Sequence, residues 1–488
     1  MTSSARPAHD RERADRRREG LDSPVEGFNE RARRAIADDS LHDAIALTTE
    51  RLTAGRDAAL GALPQAASLR ERAYRIKQRT MADLDRYLEQ MAEAVAGHGG
   101  HVHFAADGAD VARYIGELAE RRGAKLIVKS KSMASEEIEL NRRLEEANAG
   151  LEIVETDLGE WIAQIAGDHP SHTIAPILHM NRHQVAETLA TVAGRSLPPD
   201  PGELMRFARE RLREKFLTAD IGITGANFGV AETGTVVLVT NEGNGRLVSS
   251  VPPVHVVLMG IEKLVPRLED LSVFLRLLAR SGTGQKLSAY TSFVTGPRRE
   301  GELDGPEELH LILMDNGRSR LLGTDFEEAL YCIRCGACSN VCPVYRQTGG
   351  HAYGSTYSGP IGAVLTPLLK GQDEARDLPY ASSLCGACSE VCPVGIPLAE
   401  LLLRLRDRQV QSGLASRGER IAFAGFARTM TSPAAYRSAA AAARLARGPL
   451  AREGLGRSLQ GPLGGWTGSR DLPPVAPKSF RRLWKEGI

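Results

Sequence analysis

All seven cysteines of this 488-residue chain lie in one segment, between Cys332 and Cys392. A secreted protein distributes paired cysteines along its sequence, whereas a dense group of thiols in a reducing compartment most often holds metal. The segment is therefore predicted to be a cofactor site and not a disulfide framework. We expect a cytoplasmic protein, because no apolar run reaches the roughly 20 residues of a membrane-spanning helix and no apolar segment follows the Arg-rich N-terminus.

The first four cysteines form a C-x2-C-x2-C-x3-C-P run, which is typical of bacterial ferredoxins. They are Cys332, Cys335, Cys338 and Cys342. Three thiolates on one tight turn can hold three irons of a cubane, and the fourth, before Pro343, is directed to a second cluster. Gly336 lets the backbone approach the sulfides closely. A zinc site or buried cysteines are the alternatives, but zinc sites usually close with two pairs of ligands.

The second motif, from Cys385 to Pro393, repeats the first without its leading cysteine, and Ser382 stands in that position. The two clusters of such proteins exchange their fourth cysteines. Cluster one is therefore predicted to take Cys332, Cys335, Cys338 and Cys392, and cluster two to take Cys342, Cys385 and Cys388. Both are predicted as 4Fe-4S clusters, but the second is one thiolate short. It could be a 3Fe-4S cluster, a 4Fe-4S cluster completed by Ser382 or Ser383, or one with an open iron. Neighbouring clusters carry single electrons, which predicts an electron relay.

The rest of the chain is predicted to divide by pattern. Residues 1–25 have no apolar period and are expected to be disordered. Residues 26–320 begin with helices and then alternate short apolar runs with helical stretches, which predicts an α/β domain built on one sizeable parallel sheet. Residues 321–410 have helical apolar spacing and are predicted to form a ferredoxin module binding two clusters. Residues 411–488 are a basic tail rich in Ala, Gly and Pro, with eleven Lys and Arg against three Asp and Glu after Ile421.

Polar residues of the α/β region give weaker indications. Glu232 precedes a predicted strand and could face a pocket as acid or base, although a surface or salt-bridged glutamate is the expected role. Lys129 and Lys131 follow a strand and could bind a carboxylate, but solvated lysines are expected. The histidines could present a metal face but are expected to be core or cap residues: His172, His179 and His183. The glycine-rich segment 221–234 contains neither G-x-G-x-x-G nor a Walker A motif, so a Rossmann or P-loop domain is unsupported.

Several short segments together with the seven-cysteine region give the chain a family resemblance. These segments are Lys129–Met133 with Glu136–Ile138, Glu155–Glu160, Pro170–His172 and Asn227–Thr235. Over about residues 60–410, the sequence resembles the iron-sulfur subunit of the bacterial lactate-utilisation complex. The resemblance implies a lactate-utilisation domain, similar in fold to the sugar-phosphate isomerase and CoA-transferase group, followed by a helical ferredoxin. It also implies L-lactate oxidation to pyruvate with a cysteine-rich partner and a second lactate-utilisation-domain partner, and by analogy with CoA transferases Glu232 could be a nucleophile.

Three functions remain open at this point. The preferred one is an electron-transferring subunit of a lactate-oxidising complex, and the others are a relay subunit of another hydroxy-acid or glycerol-3-phosphate dehydrogenase and an iron-sulfur sensor. Because no flavin-binding fingerprint is present, the chain alone is not expected to oxidise lactate. A net charge of +1 provides no field for nucleic-acid binding. The basic tail could contact an acidic partner or an anionic membrane surface. The electron acceptor and the catalytic residues stay unassigned.

Overall fold

The computed structural model describes residues 27–148, 150–445 and 476–487. The predicted disordered segment, 1–25, and much of the predicted tail, 446–475, lie outside the described residues. Described residues up to Arg408 belong to one compact unit, and those from Gln409 onward belong to a second. None of the described helices combines the length and apolar character that crossing a membrane requires.

Within the described residues, four helices precede the first strand: α1 (Phe28–Ile36), α2 (Asp39–Gly61), α3 (Ala66–Ala82) and α4 (Leu84–Gly97). The first amides of a helix have no acceptor within the helix. At the start of α2, the Asp38 carboxylate supplies one by accepting a hydrogen bond from the Leu41 amide at 3.0 Å. Each helix buries apolar side chains, such as Ile76 of α3 and Val95 of α4. These helices thus cover the elements that follow instead of forming a separate bundle.

The strands form two sheets. They are β1 (His101–Ala105), β2 (Leu126–Lys129), β3 (Glu152–Glu155), β4 (Ile221–Gly225), β5 (Phe228–Val230), β6 (Thr235–Thr240), β7 (Val254–Gly260), β8 (Leu264–Val265), β9 (Tyr290–Val294) and β10 (Glu308–Met314). The larger sheet has six parallel strands in the order β1-β10-β7-β4-β2-β3. Its central strands β4 and β7 are buried almost throughout, as is usual for parallel strands that are covered on both faces. The predicted parallel α/β domain is confirmed.

Eight helices connect or flank these strands. They are α5 (Gly108–Arg122), α6 (Met133–Glu137), α7 (Leu140–Ala147), α8 (Leu158–Ala166), α9 (Arg182–Ala193), α10 (Pro201–Thr218), α11 (Asn244–Ser250) and α12 (Leu268–Thr283). Chain order reverses within the large sheet beside β2, because β3 lies on one side of it and β4 on the other. Ligands of open α/β sheets bind at such a reversal, outside the carboxyl ends of the strands.

The prediction of a single sheet is wrong, because β6 and β9 belong to a second sheet with the order β8-β5-β6-β9. β5 and β6 form an antiparallel hairpin. Gly234 makes its turn possible with a φ of +65°, and a side chain there would lie 2.7 Å from the amide of Val95. The alternation of apolar segments predicts the strands but carries no signal for which of them pair.

The cysteine-bearing region is helical and continuous with the rest of the first unit. Its helices are α13 (Ala337–Val341), α14 (Pro343–Thr348), α15 (Gly359–Leu369), α16 (Ala387–Val391) and α17 (Leu398–Gln411). Buried residues such as Leu365 and Leu401 share one apolar cluster with Phe274 of α12 and Val237 of β6. The helices α18 (Arg417–Thr431), α19 (Pro433–Leu445) and α20 (Phe480–Lys485) bury none of their residues. The boundaries near residues 320 and 410 stay predictions.

Candidate metal centre

The first cysteine motif forms a tight loop that turns its amides toward sulfur. Arg334 and Gly336 both have left-handed φ angles, +59° and +74°, on either side of Cys335. The resulting bend lets the Arg334 amide donate a hydrogen bond to Cys332 Sγ at 3.4 Å. α13 begins directly after Gly336 and carries Cys338, and Cys342 follows its last residue. The loop thus presents its thiols together with amide donors, as cluster-binding loops do.

The second motif has the same backbone. Leu384 and Gly386 have φ angles of +56° and +84° on either side of Cys385, and α16 begins directly after Gly386. The Leu384 amide donates to Ser382 Oγ at 3.1 Å. In the first motif, the corresponding amide donates to the leading thiol. Ser382 Oγ therefore occupies the place of the absent cysteine, which the sequence spacing alone only indicated.

The seven thiols fall into two groups. Burial raises the pKa of Cys338, and the nearby thiols of Cys335, Cys332 and Cys392 raise it further. In the other group, burial raises the pKa of Cys388 to about 11, and Cys342 and Cys385 add to the shift. Cys392 of the second motif thus joins the first group, and Cys342 of the first motif joins the second. These are the groups that the exchange rule predicts; the assignment of each thiol as a ligand stays a prediction.

The chemistry of the site fits iron-sulfur clusters. All seven cysteines are free, and only Cys385 is exposed. Buried thiolates with a raised pKa need a compensating positive charge, which bound iron supplies. The amide of Ile396 donates to Cys392 Sγ at 3.4 Å, so amide donors surround the second motif's sulfur as well. A donor set made of sulfur, with no histidine among it, is typical of iron-sulfur clusters.

A buried network of charges attaches the first motif to the large sheet. Arg318, which follows β10 and is 1% exposed, donates to Glu137 and to Glu262, each at 2.6 Å. Arg334 of the cysteine loop also donates to Glu262, at 3.1 Å, and lies 4.6 Å from the centre of the Tyr357 ring. Although burial alone would raise it, the two guanidinium groups lower the pKa of Glu262 to about 2. The network is therefore fully ionised at neutral pH.

The two candidate lysines have different environments. Lys129 is completely buried and forms ion pairs with Glu136 and Glu155, both at 2.8 Å. It is neither solvated nor open to a ligand, so both sequence-based interpretations of Lys129 are wrong. Lys131 is half-buried and lines a cavity of about 270 Å³ at the carboxyl end of β2.

Glu232 does not reach this cavity. It is exposed and accepts the amide of Leu268 at 3.2 Å at the start of α12, which agrees with the expected surface role. The sequence analysis did not single out Glu242, which lines the cavity instead. Burial and the neighbouring Asp157 raise the pKa of Glu242 to about 7. The only sequence signal for Glu242 was its position shortly after the apolar run 235–240.

His172 is a buried structural histidine. Its Nδ1 accepts the amide of Ile174 at 3.1 Å, and its Nε2 lies 3.1 Å from Asn340 Oδ1. Nε2 therefore carries the proton of the neutral ring, and burial lowers the pKa of His172 to about 4. The imidazole therefore stabilises the turn that follows it and contacts Asn340 of the cysteine region, as expected of a core histidine.

The three candidate histidines do not form one metal-binding face. His183 is exposed on α9. His179 Nε2 instead lies 3.0 Å from a carboxylate oxygen of Asp168. His351 of the cysteine region lies close to both, so that one possible ligand atom from each of the three side chains falls within 4.8 Å of the others. Both nitrogens of His179 form hydrogen bonds, to Ser171 and to Asp168, and His351 Nε2 lies 2.8 Å from the His169 carbonyl. The group is accounted for as a contact between two parts of the fold.

Three family models match successive parts of the chain. The LUD domain matches residues 88–314, the 4Fe-4S dicluster domain residues 328–396, and the C-terminal region of lactate utilisation protein B residues 405–487. Lactate utilization protein B of Oceanobacillus iheyensis is 47% identical over 94% of this chain and 96% of its own length. The protein of the same name from Bacillus thuringiensis is 48% identical over 94% of this chain and 97% of its own. The chain belongs to the lactate utilization protein B family.

Membership in the lactate utilization protein B family confirms the resemblance drawn from the sequence. It also confirms the predicted fold class, an α/β domain followed by a helical ferredoxin region. All seven cysteines fall within the dicluster match, so this family member is an iron-sulfur protein. A solved DUF162 family protein from Deinococcus radiodurans matches 48% of this chain and 98% of its own at 13% identity, with a TM-score of 0.27, which is too low to inform the fold.

Proposed function

We propose that this chain is the iron-sulfur electron-transfer subunit of a system that oxidises L-lactate to pyruvate. Oxidation of one lactate releases two electrons and two protons, and a cubane cluster carries one electron at a time. The observation that carries the proposal is the seven-thiol site in a chain that aligns almost end to end with lactate utilization proteins. The hydrogen-abstracting subunit and the final electron acceptor belong to other components.

The alternative functions are not favoured. A relay subunit of another hydroxy-acid or glycerol-3-phosphate dehydrogenase would share the cysteine motifs, but the matched relatives are named for lactate utilization over their whole length. A sensor of oxygen or iron would not require a lactate-utilisation domain fused to the clusters. Substrate-dependent reduction of the clusters separates these functions, because a sensor would be reduced by no substrate.

In this proposal, each cluster is held by thiols from both motifs. When bound, the clusters supply one-electron redox chemistry. Cluster one takes the group formed by Cys332, Cys335, Cys338 and Cys392, and cluster two takes Cys342, Cys385 and Cys388. The proximity of the thiols within each group supports this division. Because Cys385 is exposed, the second group lies nearer the surface, which favours cluster two as the exit to a partner.

Ser382 is proposed as the fourth ligand of cluster two. Ser382 Oγ accepts a hydrogen bond from the Leu384 amide, just as Cys332 Sγ accepts one from the Arg334 amide. This equivalence supports a hydroxyl that faces the cluster and does not face solvent. Alkoxide is a harder ligand than thiolate, so the serine-bound iron should be released first under air. Brief oxidation should then produce the electron paramagnetic resonance signal of a 3Fe-4S cluster.

Two substitutions test the role of Ser382. Ser382→Cys should retain the fourth iron and suppress the 3Fe-4S signal after air exposure. Ser382→Ala should show that signal already in the protein purified without oxygen. Ser383→Ala is the matched control, because the adjacent Ser383 hydroxyl accepts no such hydrogen bond from a backbone amide. This variant should behave as the wild type. Identical behaviour of all three variants would exclude a serine ligand.

The proposal includes partners and a location. The chain is expected to assemble in the cytoplasm with a cysteine-rich subunit and a second lactate-utilisation-domain subunit, and its basic tail could contact an acidic partner surface or anionic lipid. The exposed helices α18 and α19, which carry Arg420, Arg428, Arg437 and Arg444, support such a contact. Co-purification from cells with tagged full-length chain, at low and high salt, tests the assembly.

The composition of the purified protein tests the core of the proposal. Protein isolated without oxygen should contain about seven or eight irons per chain and a matching amount of acid-labile sulfide. Two reduction steps should appear in a potentiometric titration followed by electron paramagnetic resonance. Stoichiometric zinc with no sulfide would overturn the proposal.

A further inference from the structure

A cavity of about 270 Å³ lies at the carboxyl ends of the parallel strands, and the two proposed clusters give it no role. It opens where chain order reverses beside β2, at the carboxyl ends of neighbouring parallel strands. Lys131 and Ser132 follow β2, Asn227 follows β4, and Gly260 ends β7, and all of them line it. This is the location at which open α/β sheets bind small ligands.

The cavity also borders the first cysteine loop. Cys335 and Arg334 belong to its lining, together with Tyr357 from the same region. The opposite walls come from the sheet domain, so the cavity is built jointly by both parts of the first compact unit. A ligand held here would lie beside the predicted cluster one.

The charges at this end of the cavity are unequal. Arg318 and Arg334 are engaged by the carboxylates of Glu137 and Glu262. Lys263 lies beside them and lines the cavity, yet among the described residues its ammonium forms no hydrogen bond or ion pair. Glu262 and Cys332 lie near enough to act on its charge, but neither contacts it directly. A half-buried ammonium with no direct partner favours an anionic ligand.

Other polar atoms point to a ligand that also forms hydrogen bonds. The cavity lining includes Asn244, whose Oδ1 is buried without a partner, and Arg334, whose Nε is buried without one. Lys131 also lines the cavity and forms no ion pair with another described residue. The apolar part of the wall includes Leu238 and Leu258, which suit a methyl group.

The size of the cavity restricts the ligand further. Sites for cofactors and drug-sized molecules enclose about 300–1,000 Å³, so this cavity lies at the lower end of that range and favours a small ligand. A small monocarboxylate with a neighbouring hydroxyl or carbonyl oxygen satisfies the charge, the free polar atoms and the apolar wall together.

We propose that this cavity binds a small 2-hydroxy or 2-oxo monocarboxylate, with its carboxylate at Lys263 and its short apolar end against the leucine wall. The choice of lactate and pyruvate as the ligands to test rests on the proposed function. The existence of an anion site does not, because it follows from the cavity and its unpaired lysines.

Direct binding to the full-length, cluster-loaded chain tests the proposal. Anaerobic calorimetry with pyruvate and with L-lactate should show one site per chain, and acetate and inorganic phosphate should bind more weakly. Lys263→Met should weaken binding about tenfold to a hundredfold, the range expected for losing a charged hydrogen bond. Lys286→Met is the matched control, because Lys286 is exposed nearby and does not line the cavity, and it should change nothing.

A second readout separates ligand binding from charge balance at the cluster. Lys263 also lies near Cys332, so its charge could serve the cluster alone. Pyruvate should therefore alter the resonance line shape of reduced cluster one in the wild type but not in Lys263→Met. A variant with an altered cluster potential and unchanged pyruvate affinity would overturn the proposal, as would tighter binding of phosphate.

The failures of the two proposals are distinguishable. A chain with full iron content that binds neither acid refutes the cavity proposal and leaves the electron-transfer function standing. A chain without iron or sulfide refutes the electron-transfer function first. Should Lys263→Met lose its clusters, Lys131→Met provides the same comparison at a lysine distant in sequence from every cysteine, and unchanged affinity there would count against the site.

Discussion

Replacing Arg318 with methionine should destabilise the protein more than any surface charge substitution. Arg318 is 1% exposed and neutralises Glu137 and Glu262, which are 4% and 1% exposed at their side chains. Methionine fills a similar volume but leaves Glu137 without a counter-charge and Glu262 with Arg334 alone. Removing one partner of a buried ion pair costs about 3–5 kcal/mol, so Arg318→Met should lose about that much of its unfolding free energy.

Urea unfolding under anaerobic conditions measures this loss, with circular dichroism and the visible absorbance of the clusters recorded together. Arg113→Met is the control, because Arg113 also pairs with two carboxylates but its side chain is 59% exposed. Exposed pairs contribute at most about 1 kcal/mol, so the control should remain close to the wild type. A loss for Arg318→Met no larger than that of the control would refute the assignment of the network as a buried charge cluster.

The pH dependence provides a check of sign. In the wild type, the pKa of Glu262 is lowered to about 2, so its contribution is present above the ordinary glutamate pKa and lost only as pH falls through the folded value. Without Arg318, Glu262 keeps its ion pair with Arg334, but burial should raise the pKa of Glu137, which has no other cation beside it. Protonation of that carboxyl group removes its uncompensated charge. The difference in unfolding free energy between the wild type and Arg318→Met should therefore become smaller as the pH is lowered from about 7.5 to about 5.5. A deficit that widens on acidification would contradict this reasoning.

Three further predictions concern the cysteine loops and the tail. Cys335→Ser should remove cluster one, lowering the iron content by about four atoms per chain in elemental analysis while cluster two keeps its resonance signal. Gly386→Ala should cost about 1–2 kcal/mol in urea unfolding through strain alone, because its φ is +84° and a side chain there meets no atom within 4 Å. Deleting residues 425–488 should leave the iron content unchanged but reduce co-purification with partner subunits at low salt, a difference that added salt should diminish.

The cysteine spacing predicted more of the site than any other feature. Repeated motifs determine local loops, so the identity of the thiols and the position of Ser382 followed from the sequence. The geometry adds the matching left-handed φ angles of Arg334 and Leu384, residues whose side chains give no hint of such a backbone. The sequence could not supply this detail, because non-glycine residues adopt that conformation only when the surrounding structure imposes it.

Long-range contacts account for what was missed. Lys129 was expected in solvent, but parallel pairing of β2 with β3 places Glu155 against it. Lys263 and Arg334 come together across 71 residues only through packing of the cysteine loop on the sheet, so no local pattern indicated the cavity. The second sheet was missed for the same reason, since strand pairing is decided by distant segments.

Reduction of the clusters by L-lactate is the measurement that tests the central claim most directly. The chain should be purified without oxygen together with its partner subunits, and electron paramagnetic resonance spectra recorded before and after lactate is added. The account predicts that L-lactate generates the signals of reduced 4Fe-4S clusters, that D-lactate and glycerol 3-phosphate do so far less, and that Cys335→Ser abolishes the signal of cluster one. Clusters that dithionite reduces but L-lactate leaves oxidised, in a complex with its full iron content, would contradict a role in lactate oxidation.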